Sequence, residues 1–492
     1  MRTAYSLDVG NLRADVGRRA AQGGAAMTAG EAAKIVLNLA SMAVLARMLV
    51  PEAFGLIAMV WAVVGLAGLF TDLGLGMVTV QRKEITEAQV GALFWLNVAA
   101  GVILAAAVAA LAPAIAWFYG DPRLAGIAVA LSSVFILGGL AVQHRALLSR
   151  QMRFRALVAV DLSAAAGGVA VALVLGAAGF GYWALVANVL VSTALTTILS
   201  WALCAWRPGL PSRVAGLRAL LSFGGHLTGF TMVNYLARNL DNVLIGWWWG
   251  PSAVALYDRA YKLLLFPVQR INVPASRALA PALSHIREDG GKWARAYCRS
   301  MMAILLVGAP VSAFCFVFAD LIIPLMLGAQ WTGAVPIFKY LAISGMAQCL
   351  YSAIALIYIS SGRGERLFRW GLMSSAAICL SFLVGLPFGP TGVALAYSVT
   401  MTALAIPSVF HACRGTPLTP GAVFWAAMPP IAASVLAALC AHAARVLAGP
   451  GTAYDVALAV AAFFVTYFAF ILPWPGSRKT IAVAIQKFAI AR

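Results

Sequence analysis

Ionisable side chains in an otherwise apolar segment are the residues best placed to do chemistry in this chain. The stretch NYLARNLDNVLIGWWWGPSAVALYDRAYKLLLFPVQRI, residues 234–271, reads as two apolar helices meeting at Gly250-Pro251, yet it carries Arg238, Asp241, Asp258, Arg259, Lys262 and Arg270. At ~100° per residue, Arg259, Lys262, Phe266 and Arg270 fall within ~80° of one another, so the second helix carries a basic stripe. Asn234, Arg238 and Asp241 share one face of the first. Further upstream, Lys34, Asn38 and Ser41 line a polar face, with Glu31 a turn earlier. Such a set binds anions. Arginine suits phosphate through its planar fork of donors.

The cost of these charges depends on what surrounds them. The 492 residues are 62% hydrophobic and only 10% charged, against about a quarter charged in a soluble domain. Apolar runs long enough to cross a ~30 Å hydrocarbon core follow one another almost without pause. The expected fold class is all-α integral membrane with about 14 transmembrane helices: two six-helix lobes around a central cavity plus two C-terminal helices. Its parts are a cytoplasmic basic tail at 1–26, read as a tail rather than a signal peptide, and an N-terminal lobe at 27–206. An amphipathic inner-leaflet linker at 207–221, a C-terminal lobe at 222–413, and two extra helices with a cytoplasmic tail at 414–492 complete it. Spans are expected at 53–75, 222–249, 253–276, 300–327, 366–387 and 391–412, among others.

Charge sets the expected orientation. With both termini cytoplasmic, the inner segments hold 26 Lys and Arg, and the outer loops hold only Arg123 and Arg445. That is the positive-inside pattern. It accounts for most of the net charge of +19 and removes any need for nucleic acid as a partner. Trp247, Trp248, Trp249 and Trp331 then fall at the outer boundary, where aromatic rings anchor. Seven cations remain inside spans: Lys34, Arg47, Arg238, Arg259, Lys262, Arg270 and Lys339. Each costs ~2.5–3.5 kcal/mol at mid-membrane on insertion scales.

Other readings compete for several of them. Arg270 and Lys339 can snorkel to the boundary. Arg47 points ~140° from Lys34 on an unbroken helix and reads as structural. Asp258 with Lys262, and Arg238 with Asp241, have the spacing of self-satisfied ion pairs. Arg259 and Lys34 are left without an evident partner. Asp72, Asp241 and Asp258 are the candidates for carrying a coupled proton or sodium ion.

The halves echo each other at an offset of about 200–214 residues: LARMLVPEAFGLIAM with IGWWWGPSAVALYDR, and GFGYWALV with GPTGVALA. The basic turns SRQMRFR and SGRGERLFR hold corresponding places. An even number of spans per repeat relates the copies by an axis along the membrane normal.

The segments LARMLVPEAFGLIAMV, FTDLGLGMVTVQRKEIT, GFGYWALV and LYDRAYKLLLFPVQRINVPASRALAPALSHI together resemble the polysaccharide-transport flippases, the colanic-acid-exporter type of the multidrug/oligosaccharidyl-lipid/polysaccharide exporter superfamily. The likeness runs over roughly 27–475. It implies movement of a polyprenyl-diphosphate-linked oligosaccharide across a bacterial inner membrane, for exopolysaccharide or lipopolysaccharide biosynthesis. It also implies a cavity opening alternately to each side, membrane lipids and polysaccharide polymerase or export machinery as partners, no cofactor and no enzymatic step. Arg47, Arg259 and Lys262 match family positions. Two rivals stay open. A drug/cation antiporter of the same superfamily calls for unpaired acids and few cations. A membrane glycosyltransferase or polymerase calls for a large outer loop or outer acidic groups, but outer loops such as 250–252 are short, and no metal-ligand cluster or Ser-His-Asp spacing is present.

Overall fold

A computed structural model describes residues 16–72, 74–82, 84–210, 217–448, 453–474 and 476–478. Among the described residues the regular structure is helical, with no strand. A chain in hydrocarbon must satisfy its own backbone, and helices do so within each segment. The helices are α1 (Val16–Met48), α2 (Pro51–Gly68), α3 (Leu75–Gln81), α4 (Glu87–Tyr119), α5 (Arg123–Arg150), α6 (Phe154–Ala177), α7 (Tyr182–Leu203) and α8 (Leu217–His285). They continue with α9 (Gly290–Val317), α10 (Ala319–Leu327), α11 (Ala334–Ser360), α12 (Gly364–Gly385), α13 (Gly389–Cys413), α14 (Pro420–Ala448) and α15 (Ala453–Ile471).

Local sequence explains the boundaries. Pro51 opens α2, where its missing N–H costs nothing. Thr86 and Gln89 close a capping box at the start of α4. Gly250, at φ 77° and ψ −177°, interrupts α8 between residues 249 and 251, a conformation a side chain would oppose. The span expected at 300–327 is broken at Phe318 into α9 and α10. The span expected at 53–75 ends at Gly68, and the short α3 follows.

Eleven segments among the described residues are long and apolar enough to cross a membrane, against the fourteen expected from sequence. One of the eleven, Gly364–Cys413, holds both α12 and α13, joined by a 3-10 turn at Leu386–Phe388. The chain is therefore a multi-pass helical membrane protein, and its number of crossings is not fixed at fourteen. The basic tail is helical from Val16, continuous with α1, whereas residues 1–15 lie outside the described residues. So do 211–216 of the expected amphipathic linker and 479–492 of the C-terminal tail.

The chain divides into two compact units, Met1–Ala255 and Leu256–Arg492. In the first, α4 packs on α5, α6 on α7 and α1 on α6. Lipid supplies no hydrophobic force between helices, so close approach decides their packing. Glycines provide it: a Cβ on Gly101 would strike the Phe135 carbonyl oxygen, and one on Gly139 that of Asn97. A cluster of Leu75, Leu93, Phe94, Leu147 and Trp206 fills one end of this unit. In the second unit, α9, α11, α13 and α14 surround Tyr297, Met301, Ile354, Tyr358 and Val409. The two C-terminal helices join it through Phe318, Ala433, Ala437 and Phe463. Trp331 is fully buried there, so it is a core residue and not a boundary anchor, unlike the exposed Trp247, Trp248 and Trp249.

Candidate functional site

The C-terminal arm of α8 brings three of the sequence-selected residues together. Asp258 is buried, and its Oδ2 lies 2.9 Å from Lys262 Nζ and 3.5 Å from Arg259 Nε. The (i, i+4) pair is the one the spacing allows. The Arg259 contact corrects the expectation that this residue lacks a partner: neighbours in sequence do not share a helix face, but the long arginine side chain can swing toward the short aspartate. The three side chains differ in access, with Asp258 5% exposed, Arg259 17% and Lys262 53%. One carboxylate thus serves two cations, and the triad is net positive. The ammonium is its reachable end.

Tyr257 and Tyr261, on the same arm of α8 as the triad, lead to aromatic and amide groups of α13 and α11. The Tyr257 and Tyr261 rings stack at 6.2 Å between centroids, and Tyr261 meets Tyr397 of α13 edge-on at 6.2 Å. Gln348 of α11 reaches the Tyr397 hydroxyl at 3.5 Å. Tyr397 and Gln348 escape sequence reasoning, because nothing in their local pattern sets them apart from span packing. Arg270, three turns on, is exposed and lies with its guanidinium 5.4 Å from the Phe266 ring.

The remaining candidates belong to the first unit. Lys34 is half-buried on α1, and Arg47 is exposed near the end of that helix. Arg238 is exposed on α8, whereas Asp241 is buried and accepts the Asn242 N–H at 2.8 Å. Asp72 stands in the segment between α2 and α3, exposed, and accepts the Gly76 N–H at 2.8 Å. It opens onto a cavity of about 470 Å³ that Arg145, Ser149, Thr193 and Thr196 also line. Arg145 is held there by Asp161 at 2.7 Å. The Thr193 and Thr196 hydroxyls donate to backbone carbonyls of their own helix at 2.8 Å. Asp72 therefore shares a polar cavity with Arg145 and several hydroxyls, in a different unit from the triad.

The family model described as polysaccharide biosynthesis protein matches residues 44–336, which include the Asp72 cavity, Asp258, Arg259 and Lys262. The chain belongs to that family. It is similar to the lipopolysaccharide biosynthesis protein WzxC of Escherichia coli (strain K12), 26% identical over 383 residues, 76% of this chain and 77% of WzxC. Among solved structures it is similar to the lipid II flippase MurJ in an inward closed conformation. The TM-score is 0.72 at 12% identity, over 90% of this chain and 97% of MurJ. An inward-facing multidrug resistance MATE family transporter of the MOP superfamily gives a TM-score of 0.60 at 15% identity, over 81% of this chain and 95% of that one. The polysaccharide biosynthesis protein thus has a transporter fold.

Proposed function

We propose that this chain carries a polyprenyl-diphosphate-linked oligosaccharide from the inner to the outer leaflet of a bacterial inner membrane by alternating access, with no bond made or broken. The observation that carries the reading is the triad: two cations on one buried carboxylate leave net positive charge on a mainly apolar arm of α8. A diphosphate matches that charge, and the arginine fork matches its geometry. In this reading Arg259 and Lys262 hold the diphosphate, Lys34, Arg47, Arg238 and Arg270 add to the positive field, and Tyr261, Tyr397 and Gln348 face the sugar. The family assignment, the name of WzxC and the lipid II cargo of MurJ all favour a lipid-linked saccharide. Both termini are cytoplasmic by charge asymmetry, and a polysaccharide polymerase or export machinery receives the product.

The membrane potential favours this direction. Negative cargo moving outward gains ~2.3 kcal/mol per charge per 100 mV, inside negative. An empty basic carrier is returned by the same field. Asp72, Asp241 and Asp258 are the groups through which a coupled cation would act.

The test uses a deletion strain complemented at equal protein level. Arg259→Gln with Lys262→Gln is expected to cut surface polysaccharide about tenfold or more, the equivalent of ~1.4 kcal/mol of lost binding. A polyprenyl-diphosphate oligosaccharide should then accumulate on the cytoplasmic face. Unchanged output removes the triad from the mechanism, and accumulation on the outer face points to a polymerase instead.

A further inference from the structure

A second cavity, of about 530 Å³, lies wholly within the second unit, between the ends of α9 and α14 and the beginning of α11. Its walls are apolar, including Phe316, Ile343, Met346 and Leu439; Met346 is half-buried, whereas Phe316 at 40%, Ile343 at 41% and Leu439 at 61% are exposed. Only three polar side chains line it: Ser312, Lys339 and His442. The Ser312 hydroxyl donates to the Gly308 carbonyl at 3.0 Å. The two basic groups are what distinguish one end of the cavity from the other.

Depth along the helices locates that end. Lys339 lies five residues inside the start of α11, ~7–8 Å at 1.5 Å per residue, and His442 lies six residues before the end of α14, ~9 Å. Met346 and Val435, at the far end, are ~18 and ~20 Å in by the same rise. The cavity therefore runs from headgroup level to about the middle of a ~30 Å core, the depth of one leaflet. Asp320 lies within electrostatic reach of Lys339, but both of its oxygens are bonded by Arg445, at 2.8 and 2.9 Å, and it forms no close ion pair with the lysine.

We infer that this cavity holds one acyl chain of an anionic phospholipid, with its phosphate between Lys339 and His442. In the orientation set by charge, the lipid comes from the outer leaflet. The phosphate and net negative headgroup match the basic end, and the chain fills the apolar end. The lipid braces α14 against α9 and α11, and the site is independent of the triad and its cargo.

The experiment places the purified chain in nanodiscs of equal parts phosphatidylethanolamine and phosphatidylglycerol, extracts it gently and counts retained lipids by native mass spectrometry. The wild type is expected to hold one phosphatidylglycerol in preference to phosphatidylethanolamine. Lys339→Gln with His442→Gln should lower that preference roughly fivefold without changing phosphatidylethanolamine retention. Ala438→Trp, which obstructs the cavity, should lower retention of both, with elution as a single species as the check on folding. Equal retention of the two lipids by the wild type overturns the inference, as does undiminished phosphatidylglycerol on the double variant. Displacement of phosphatidylglycerol by added polyprenyl phosphate also overturns it, because the cavity then takes the tail of a cargo.

Discussion

The turn from α5 into α6 and the turn from α11 into α12 are built on one plan in the two units. In each, the residue after the helix cap adopts a left-handed conformation, Met152 at φ 54° and Gly362 at φ 69°. In each, an arginine follows and its N–H closes back onto the helix, Arg153 to Leu148 at 2.9 Å and Arg363 to Tyr358 at 2.8 Å. This is a Schellman ending. The same arginine then crosses to the end of the second helix of the following hairpin. Arg153 Nη1 donates to the Leu203 carbonyl at 2.9 Å, and Arg363 Nη1 to that of Arg414 at 2.7 Å. The basic residues that mark one side of the membrane in the sequence thus also staple helix ends together.

The difference is in how firmly each turn is held. Glycine occupies the left-handed position in the second unit without strain, whereas methionine at that position costs roughly 1–2 kcal/mol. The first unit has an additional tie. Arg150, almost buried, donates to the Thr79 carbonyl at 2.9 Å and to that of Arg82 at 2.5 Å, so the turn is anchored to α3 as well as α7. In the second unit the ties run to one place, with Arg366 joining Arg363 on the Arg414 carbonyl. A turn tied on two sides holds a strained residue that a turn tied on one side would release.

Breaking the extra tie should have the largest effect. Arg150→Met removes a charged donor from two carbonyls and leaves them short of a partner. The expected loss is about 2–4 kcal/mol in a denaturant titration of the detergent-solubilised chain. Ser360, which precedes its own turn by the same interval, should cost less than about 1 kcal/mol when changed to Ala, as for a hydroxyl bonded only to its own helix. Equal effects at the two positions would dissolve the contrast.

Exchanging the left-handed residues sharpens the comparison at a smaller scale. Gly362→Met is expected to destabilise by about 1–2 kcal/mol. Room is less of a problem there than conformation, since the nearest group to an added Cβ is the flexible end of Arg287, at 2.9 Å. The reverse change, Met152→Gly, should stabilise by up to ~1 kcal/mol, because relief of strain is partly offset by the greater entropy of an unfolded glycine. Both are read as shifts in the same titration. If Met152→Gly destabilises, the methionine side chain is packing and the strain is not the controlling cost.

These turns show which features the sequence made legible. Their correspondence was visible as two basic loops at matching places, because charge survives in a composition where Ala and Leu match everywhere. The stapling was not visible, since carbonyl acceptors have no sequence signature. The membrane class and the family were equally plain, from apolar length and from motif order. Helix breaks at Gly250 and Phe318 divide the two cases: a Gly-Pro pair announces a break, but a phenylalanine does not. At the candidate site, the Asp258–Lys262 pair followed from helical spacing. Arg259 joined it through side-chain reach that spacing alone discounts. The ion pair of Arg145 with Asp161, one helix away across the turn, has no such spacing to announce it.

The opposite ends of the helices carry acids as well, and there the comparison yields its smallest expected effect. In the first unit Arg123 bridges Asp121 at 2.7 Å and Glu52 at 2.6 Å, and in the second Arg445 pairs with Asp320. Hydrogen bonding to the Arg123 side chain holds the Asp121 carboxyl below its usual value, against a smaller opposing effect of burial. A carboxyl lowered in the folded state contributes stability that is fully present above its unfolded value of ~3.9 and is lost as pH falls through the lower folded one. Thermal stability of the wild type should therefore be insensitive to this group from neutral pH to about pH 5 and decline below about pH 4. Asp121→Asn is expected to flatten that decline slightly while lowering stability at neutral pH. Arg123 and Glu52 are both well exposed, and an exposed pair is screened, so the change should shrink further as salt is raised. A difference between wild type and Asp121→Asn that persists undiminished in molar salt would mean that the Asp121 hydrogen bonds, not its charge, fix the entry into α5.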